Sequence, residues 1–145
     1  MARTLVLGAL LLIAGLGGSA IAADITVYRD DGCGCCGKWA AILGAAGHKV
    51  TIIDGKNMSM IKTDAGVPEA VQSCHTAMVE GYVIEGHVPI ADVERLLAER
   101  PAIKGLAVPG MPIGSPGMES DDGSSESYDV MAIGLDGTTS VYAAH

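Results

Sequence analysis

The apolar positions of the chain fall into blocks whose period changes along its length. Leu5 to Leu16 form an apolar stretch broken by glycines and preceded by Arg3. Ile25 to Tyr28 is a short β-prone run that ends in the turn-rich Arg29-Asp30-Asp31-Gly32. From Lys38 the period lengthens: Trp39, Ile42, Leu43 and Ala46 recur at helical spacings, and Gly47 is a natural stop. Val50 to Ile53 predict a second strand, closed by Asp54-Gly55. Ser59 is the expected cap of a short helix over Met60 to Ala65, and Pro68 is placed to start another over Glu69 to Gln72. Thr76 to Val79 and Tyr82 to Glu85 flank the turn Glu80-Gly81 and predict paired strands. Ile90, Val93, Leu96 and Leu97 mark a last amphipathic helix stopped by Pro101.

Residues 101–127 lose this regularity. Pro, Gly, Met and Ser dominate them, and 121–127 is polar and expected to be mobile. Val130 to Gly134 and Thr138 to Tyr142, around Leu135-Asp136-Gly137, predict a terminal hairpin. The order strand, helix, strand, helix, strand, strand, helix is that of a thioredoxin-like α/β fold of three layers. It would form one domain over 23–145, with a core over 24–100 and a Pro/Gly-rich loop and β-hairpin extension over 101–145. Residues 1–22 read as a Sec-type signal peptide. Arg3 supplies the positive end, the apolar run is short for a membrane span, and Ala20-Ile21-Ala22 fits the cleavage rule. The domain is therefore expected in the periplasm, with no stable membrane span after cleavage.

Composition alters this picture in two ways. The chain has no Phe, so the core must rest on Val, Ile, Leu, Ala and a few Tyr. Its net charge is −8, and a nucleic-acid partner would want a basic face instead.

The four cysteines are Cys33, Cys35, Cys36 and Cys74. Three of them within four residues make poor structural staples, because a bond between near neighbours closes almost no loop. Cys33 and Cys36 form a C-x-x-C pair at a strand end and helix start, where free N–H groups and the helix dipole stabilise a thiolate. Lys38 adds a positive charge one turn on. The spacing allows a redox pair, or a Cys33–Cys36 disulfide that leaves the other two sulfurs idle. Cys35 favours a metal site, because a third thiol would complicate dithiol exchange, whereas soft Cu(I), and less readily Zn(II), gains a ligand from it.

In the thioredoxin plan the loop before the third strand passes beside the redox motif and carries a cis-proline followed by Thr. Here that loop is Ser73-Cys74-His75-Thr76. The fold would thus bring Cys74 and His75 against the cysteine motif, with the blocking proline gone. Met111 and Met118 follow glycines in the irregular segment and are candidate thioether contacts for Cu(I), Met58 and Met60 weaker ones. His87 belongs either at the rim of the site or at the cap of the last helix. Trp39 is expected in the core, and His145 exposed to solvent.

These blocks resemble the CopG-like family of small periplasmic metal-binding proteins, a domain of unknown function (DUF411) often found with copper-resistance systems. The resemblance runs from about Thr26 to Tyr142. It rests on Cys33-Gly34-Cys35-Cys36-Gly37-Lys38-Trp39, Ser73-Cys74-His75-Thr76, Gly81 to Pro89, Gly105 to Pro112 and Gly114 to Glu119. It implies a thioredoxin-like fold whose cysteines hold Cu(I) as a multinuclear thiolate-bridged cluster. It carries the ligand role onto Cys33, Cys35, Cys36 and Cys74, with His75 as helper. The polar insert over 121–127 touches none of these motifs. The function expected is copper binding in homeostasis or resistance, with copper ions and other periplasmic copper-handling proteins as partners. The alternative is a copper-linked thiol-disulfide oxidoreductase using Cys33 and Cys36.

Overall fold

A computed structural model describes residues 22–55 and 57–145. The expected signal segment lies outside the described residues, except for Ala22.

Seven strands form one mixed sheet in the order β2-β1-β3-β4-β5-β6-β7. β1 (Asp24–Arg29) leads into α1 (Gly34–Ala45), which returns the chain to β2 (Lys49–Asp54) parallel to β1. α2 (Met58–Asp64) and a 3₁₀ turn (Glu69–Val71) then precede β3 (His75–Val79), antiparallel to β1. β4 (Tyr82–Glu85) pairs antiparallel with β3, and α3 (Ile90–Glu99) follows it. β5 (Gly105–Ala107) lies parallel to β4, and β6 (Asp129–Ile133) and β7 (Thr139–Ala144) complete the sheet.

Alternation along the strands splits the core between the two sheet faces. Ile25, Val27, Ala77, Val79, Ile84 and Leu106 pack with Trp39 and Leu43 of α1 and with Val93, Leu96 and Leu97 of α3. Val83, Ala107 and Ile133 point the other way, where Val67 and Val71 cover them. Trp39 and the apolar stripe of α3 are core residues, as their spacing predicts.

Several boundaries differ from the pattern-based expectation. α1 starts at Gly34, not Lys38, so Cys35 and Cys36 lie in its first turn. The apolar period is silent there because the motif residues are chosen for chemistry. Asn57, not Ser59, caps α2: its side chain accepts from the Met60 N–H, which draws the helix start back to Met58. Residues 69–71 form a single 3₁₀ turn. α3 ends at Arg100, in a left-handed conformation, just before Pro101.

The largest departure is β5, three fully buried residues inside the stretch that reads as irregular. Three residues are too few to display a period. Gly105 is required there, because any Cβ would overlap the Val83 carbonyl of β4. Through β5 the terminal hairpin continues the main sheet. The polar insert is exposed but tied back: the Glu126 N–H donates to the Ile113 carbonyl, and Glu126 Oε2 accepts from the Ile113 N–H. His145 also differs from expectation, since it stacks on Tyr128 and bonds Asp92 across to α3 at 2.7 Å.

Leu106→Ala should cost about 2–5 kcal/mol of unfolding free energy, as for a buried leucine with little room to collapse. Leu135→Ala, at an exposed hairpin tip, should stay within about 0.5 kcal/mol. Urea unfolding of the two variants measures both; equal costs would mean that β5 is peripheral to the core.

Candidate metal centre

The cysteine motif stands where β1 hands over to α1. The Cys33 N–H donates to the Asp30 carbonyl at 3.3 Å, closing a turn. Arg29 fixes the motif from the strand side: Nη1 donates to the Cys33 carbonyl at 2.8 Å, and Nε to Asp54 of β2 at 2.6 Å. Cys33 is the extended residue just before the first helical one, Gly34, and the N–H groups of the first turn lack intrahelical partners. Cys36 is buried, while Cys33 and Cys35 are half-buried.

Cys33 and Cys36 are joined by a disulfide, with their Cα atoms 5.4 Å apart. Cys35 and Cys74 are free thiols. The Cys35 sulfur lies 3.6 Å from that of Cys33, and the Cys74 sulfur 3.6 Å from that of Cys36. All four sulfurs lie within 4.8 Å of one another.

Cys74 reaches the motif because the segment before β3 is anchored from behind. Glu85 of β4 is fully buried, and its Oε1 accepts from the Ser73 N–H at 2.6 Å and from Lys62 of α2 at 2.5 Å. Its other oxygen accepts from the Thr76 hydroxyl at 2.7 Å. Burial raises the Glu85 pKa, and Lys62 opposes the shift. Ser73 also donates through its hydroxyl to the Gly110 carbonyl.

Two buried histidines complete the arrangement. His75 opens β3, its Nδ1 3.3 Å from the Cys74 sulfur. Its ring packs 4.4 Å from that of Trp39, and its Nε2 has no hydrogen-bond partner among the described residues. His87 lies in the loop after β4, with Nε2 3.0 Å from the Cys74 sulfur. Its Nδ1 faces the Pro116 carbonyl at 2.8 Å. A carbonyl can only accept, so Nδ1 carries the proton and Nε2 presents a lone pair toward Cys74. Burial, then the neighbouring His87, lowers the His75 pKa to about 3. Burial likewise lowers that of His87. The Cys74 thiol is pushed up to about 12, first by burial and then by Cys35. At neutral pH the centre thus offers two neutral imidazoles around a protonated thiol.

Of the residues singled out from sequence, the fold brings the sulfurs of Cys33, Cys35, Cys36 and Cys74 together, while His75 meets Cys74 and His87 in a second group that shares only Cys74 with the first. Met111 is 50% exposed beside Gly110. Met118 is half-buried and follows Gly117, where a Cβ would sit 2.8 Å from the Cys35 carbonyl. Met58 is buried at the start of α2, and Met60 is exposed. His87 faces Cys74 and is neither a rim residue nor a helix cap. Sequence reading missed Lys62 and Glu85 altogether; the one signal available was a carboxylate ending the otherwise apolar run Tyr82-Val83-Ile84.

Residues 71–118 match the family model described as "Protein of unknown function, DUF411". Two solved structures are similar to the chain. One, "Copper resistance protein copG- Form 2", is 45% identical, with a TM-score of 0.81 over 86% of this chain and 99% of that one. The other, Form 1 of the same protein, is also 45% identical, with a TM-score of 0.80 over 86% and 98%. No curated protein matches the chain.

Two outcomes follow from the buried charges. Lys62→Met leaves the Glu85 carboxylate buried without its ion-pair partner and should destabilise the fold by about 3–5 kcal/mol in urea unfolding. Below pH 6.5 the unfolded chain protonates His75 while the folded chain does not. Stability should therefore fall as pH drops from 6.5 toward about 3, at a slope near 1.4 kcal/mol per pH unit for this site. His75→Gln should make the slope shallower; an unchanged pH profile would show that His75 is not held neutral.

Proposed function

This chain belongs to the DUF411 family, together with the copper resistance protein copG, and from that membership we propose that it binds Cu(I) as cargo on a cysteine-thiolate site. The observation that carries this reading is the meeting of four sulfurs within 4.8 Å, drawn from segments 38 residues apart. Metal–sulfur bonds near 2.3 Å allow sulfurs up to about 4.6 Å apart to share an ion, and closer pairs to bridge two. A donor set dominated by sulfur is soft, which suits Cu(I). Zn(II) as a structural ion is the weaker fit, since the apolar core on both sheet faces does not depend on the sulfurs.

Binding on all four sulfurs requires the Cys33–Cys36 bond to open. Two electrons and two protons, supplied by a thiol or dithiol reductant, convert it to two thiols, and metal binding then displaces the protons. Cys33, Cys35, Cys36 and Cys74 would be the principal ligands and His75 a further one, with Met111 and Met118 as thioether contacts. The thioredoxin-like reading of the fold is supported by the sheet order β2-β1-β3-β4, the parallel β1–β2 pair and the motif's position at the start of α1. We place the mature domain at 23–145 in the periplasm, after removal of 1–22, handling copper with other periplasmic copper proteins. Among the described residues no helix is long and apolar enough to cross a membrane.

One observation favours a second reading, a copper-linked thiol-disulfide oxidoreductase. The bond joins Cys33 to Cys36, the pair such chemistry would use, and leaves Cys35 and Cys74 free.

Anaerobic titration of the fully reduced protein with Cu(I), followed at the copper edge, tests the first reading. We expect at least one copper per chain in a sulfur-dominated environment, and a lower load in Cys35→Ser. A load below one per chain would refute a thiolate cluster. Insulin reduction and Cu(II) reduction by the wild type and Cys35→Ser distinguish the second reading, which predicts turnover that survives the substitution.

A further inference from the structure

We infer that Glu85 and Lys62 are positioning residues for the copper site. The Glu85 carboxylate clamps the segment before β3 so that Cys74 stays within sharing distance of the motif sulfurs, and Lys62 compensates the buried charge. The inference deepens the copper-binding reading and rests on it for the identity of the ion.

Glu85 lies opposite Thr76 in the β3–β4 register. One of its oxygens accepts from the Ser73 N–H at 2.6 Å and the other from the Thr76 hydroxyl at 2.7 Å. The carboxylate thereby grips the residue before Cys74 and the residue after His75, and brackets the two between them. The sheet itself gives the Cys74 side little support. β3 begins only at His75, and the isolated bridge from Ser73 to Gly110 adds one long backbone bond, from the Gly110 N–H to the Gln72 carbonyl at 3.5 Å. The Ser73 hydroxyl also reaches the Gly110 carbonyl, through a side chain rather than the backbone. Without the carboxylate the Ser73 N–H would lose the partner that holds the backbone one residue from the sulfur. Gly86 packs so closely on Ser73 that any Cβ would overlap it, and this approach brings the end of β4 within reach of the Ser73 backbone.

The sulfur that depends on this clamp has little margin. Cys74 is 38 residues from Cys36 in the chain, and their sulfurs lie 3.6 Å apart. Two sulfurs on one ion, with bonds near 2.3 Å, can be at most about 4.6 Å apart. A retreat of the segment by about 1 Å therefore takes Cys74 out of reach of an ion held by Cys36.

The two parts of the device are separable. Lys62 Nζ meets Glu85 Oε1 at 2.5 Å and the Thr76 hydroxyl at 3.1 Å, and makes the fully buried carboxylate tenable. The bonds from Ser73 and Thr76 do the positioning, and they do not require charge. An amide at position 85 can keep both: its carbonyl accepts from the Ser73 N–H, and its NH2 donates to the Thr76 hydroxyl oxygen. A leucine keeps the volume and loses both.

Glu85→Gln and Glu85→Leu, each combined with Lys62→Met, therefore test position apart from charge. Replacing a buried ion pair by uncharged side chains of similar volume is often neutral for stability, and urea unfolding checks that each variant folds. The first readout needs no metal. In the disulfide-linked form Cys35 and Cys74 are the free thiols, so iodoacetamide followed by peptide mass mapping gives the alkylation rate of Cys74 relative to Cys35. We expect that ratio to rise roughly tenfold or more in Lys62→Met/Glu85→Leu. It should stay within about threefold of wild type in Lys62→Met/Glu85→Gln, and also in Leu106→Ala, which weakens the fold elsewhere. The second readout is the Cu(I) affinity of the fully reduced proteins, from competition with a Cu(I) chelator. It should fall roughly tenfold or more with leucine and less than about threefold with glutamine.

Equal behaviour of the leucine and glutamine variants in either readout would overturn the inference, as would an alkylation ratio raised as much by Leu106→Ala. If the leucine variant fails to fold, hydrogen exchange of the wild type decides. The Ser73 amide should exchange roughly a hundredfold or more below the free-peptide rate, and exchange at that rate refutes the clamp. Failure of the reduced wild type to load Cu(I) would refute the copper reading alone, with the alkylation ratio still testing the clamp. An unchanged Cu(I) affinity beside a raised alkylation ratio would refute this inference alone.

Discussion

The carboxylate of Glu85 has no contact with solvent, and a charge placed there would be untenable alone. It is compensated by Lys62 from α2, the Thr76 hydroxyl from β3 and the Ser73 N–H from the segment before β3. Those partners come from three parts of the chain, so satisfying one buried charge fixes their relative positions. Ser73 immediately precedes Cys74, and the constraint passes directly to the sulfur. Glu85 also ends β4, two residues before His87. The same residue thus organises both segments that approach the cysteine motif from the sheet side.

The opposite wall of the centre is built by the C-terminal third of the chain. β5 ties that third into the sheet beside β4, and the loop over 112–118 then returns over the start of α1. Gly117 lies too close to the Cys35 and Trp39 backbone to carry a side chain. Pro116 supplies the carbonyl that orients His87. The glycines and prolines of this segment serve close approach and loop shape. Those needs override regular secondary structure and account for the segment's lack of periodicity.

Within these walls, bond formation between sulfurs competes with metal binding. A sulfur bonded to sulfur cannot serve as a thiolate, so the number of soft ligands depends on the redox state of Cys33 and Cys36. Burial pushes the other groups toward neutrality: the imidazoles shed protons and the Cys74 thiol keeps its own. A bound cation reverses the balance for Cys74 by stabilising the thiolate that burial disfavours.

The amino-acid sequence by itself determined the strand and helix order through β4 and α3, because those elements are long enough to display their period. It also marked the cysteine motif for sulfur chemistry, since three sulfurs in four residues have no economical structural use, while leaving a metal site and a redox pair as alternatives. The neighbourhood of Cys74 and the motif was legible through the order of elements and the resemblance together. Only the tertiary structure decided that β5 is a strand, that His87 faces Cys74, and that Lys62 and Glu85 hold the loop between them. These are pairings between residues distant in sequence, and each is invisible locally. A three-residue strand has no period, a histidine in a loop has no stated partner, and a buried ion pair looks like two ordinary surface charges until the fold closes around it.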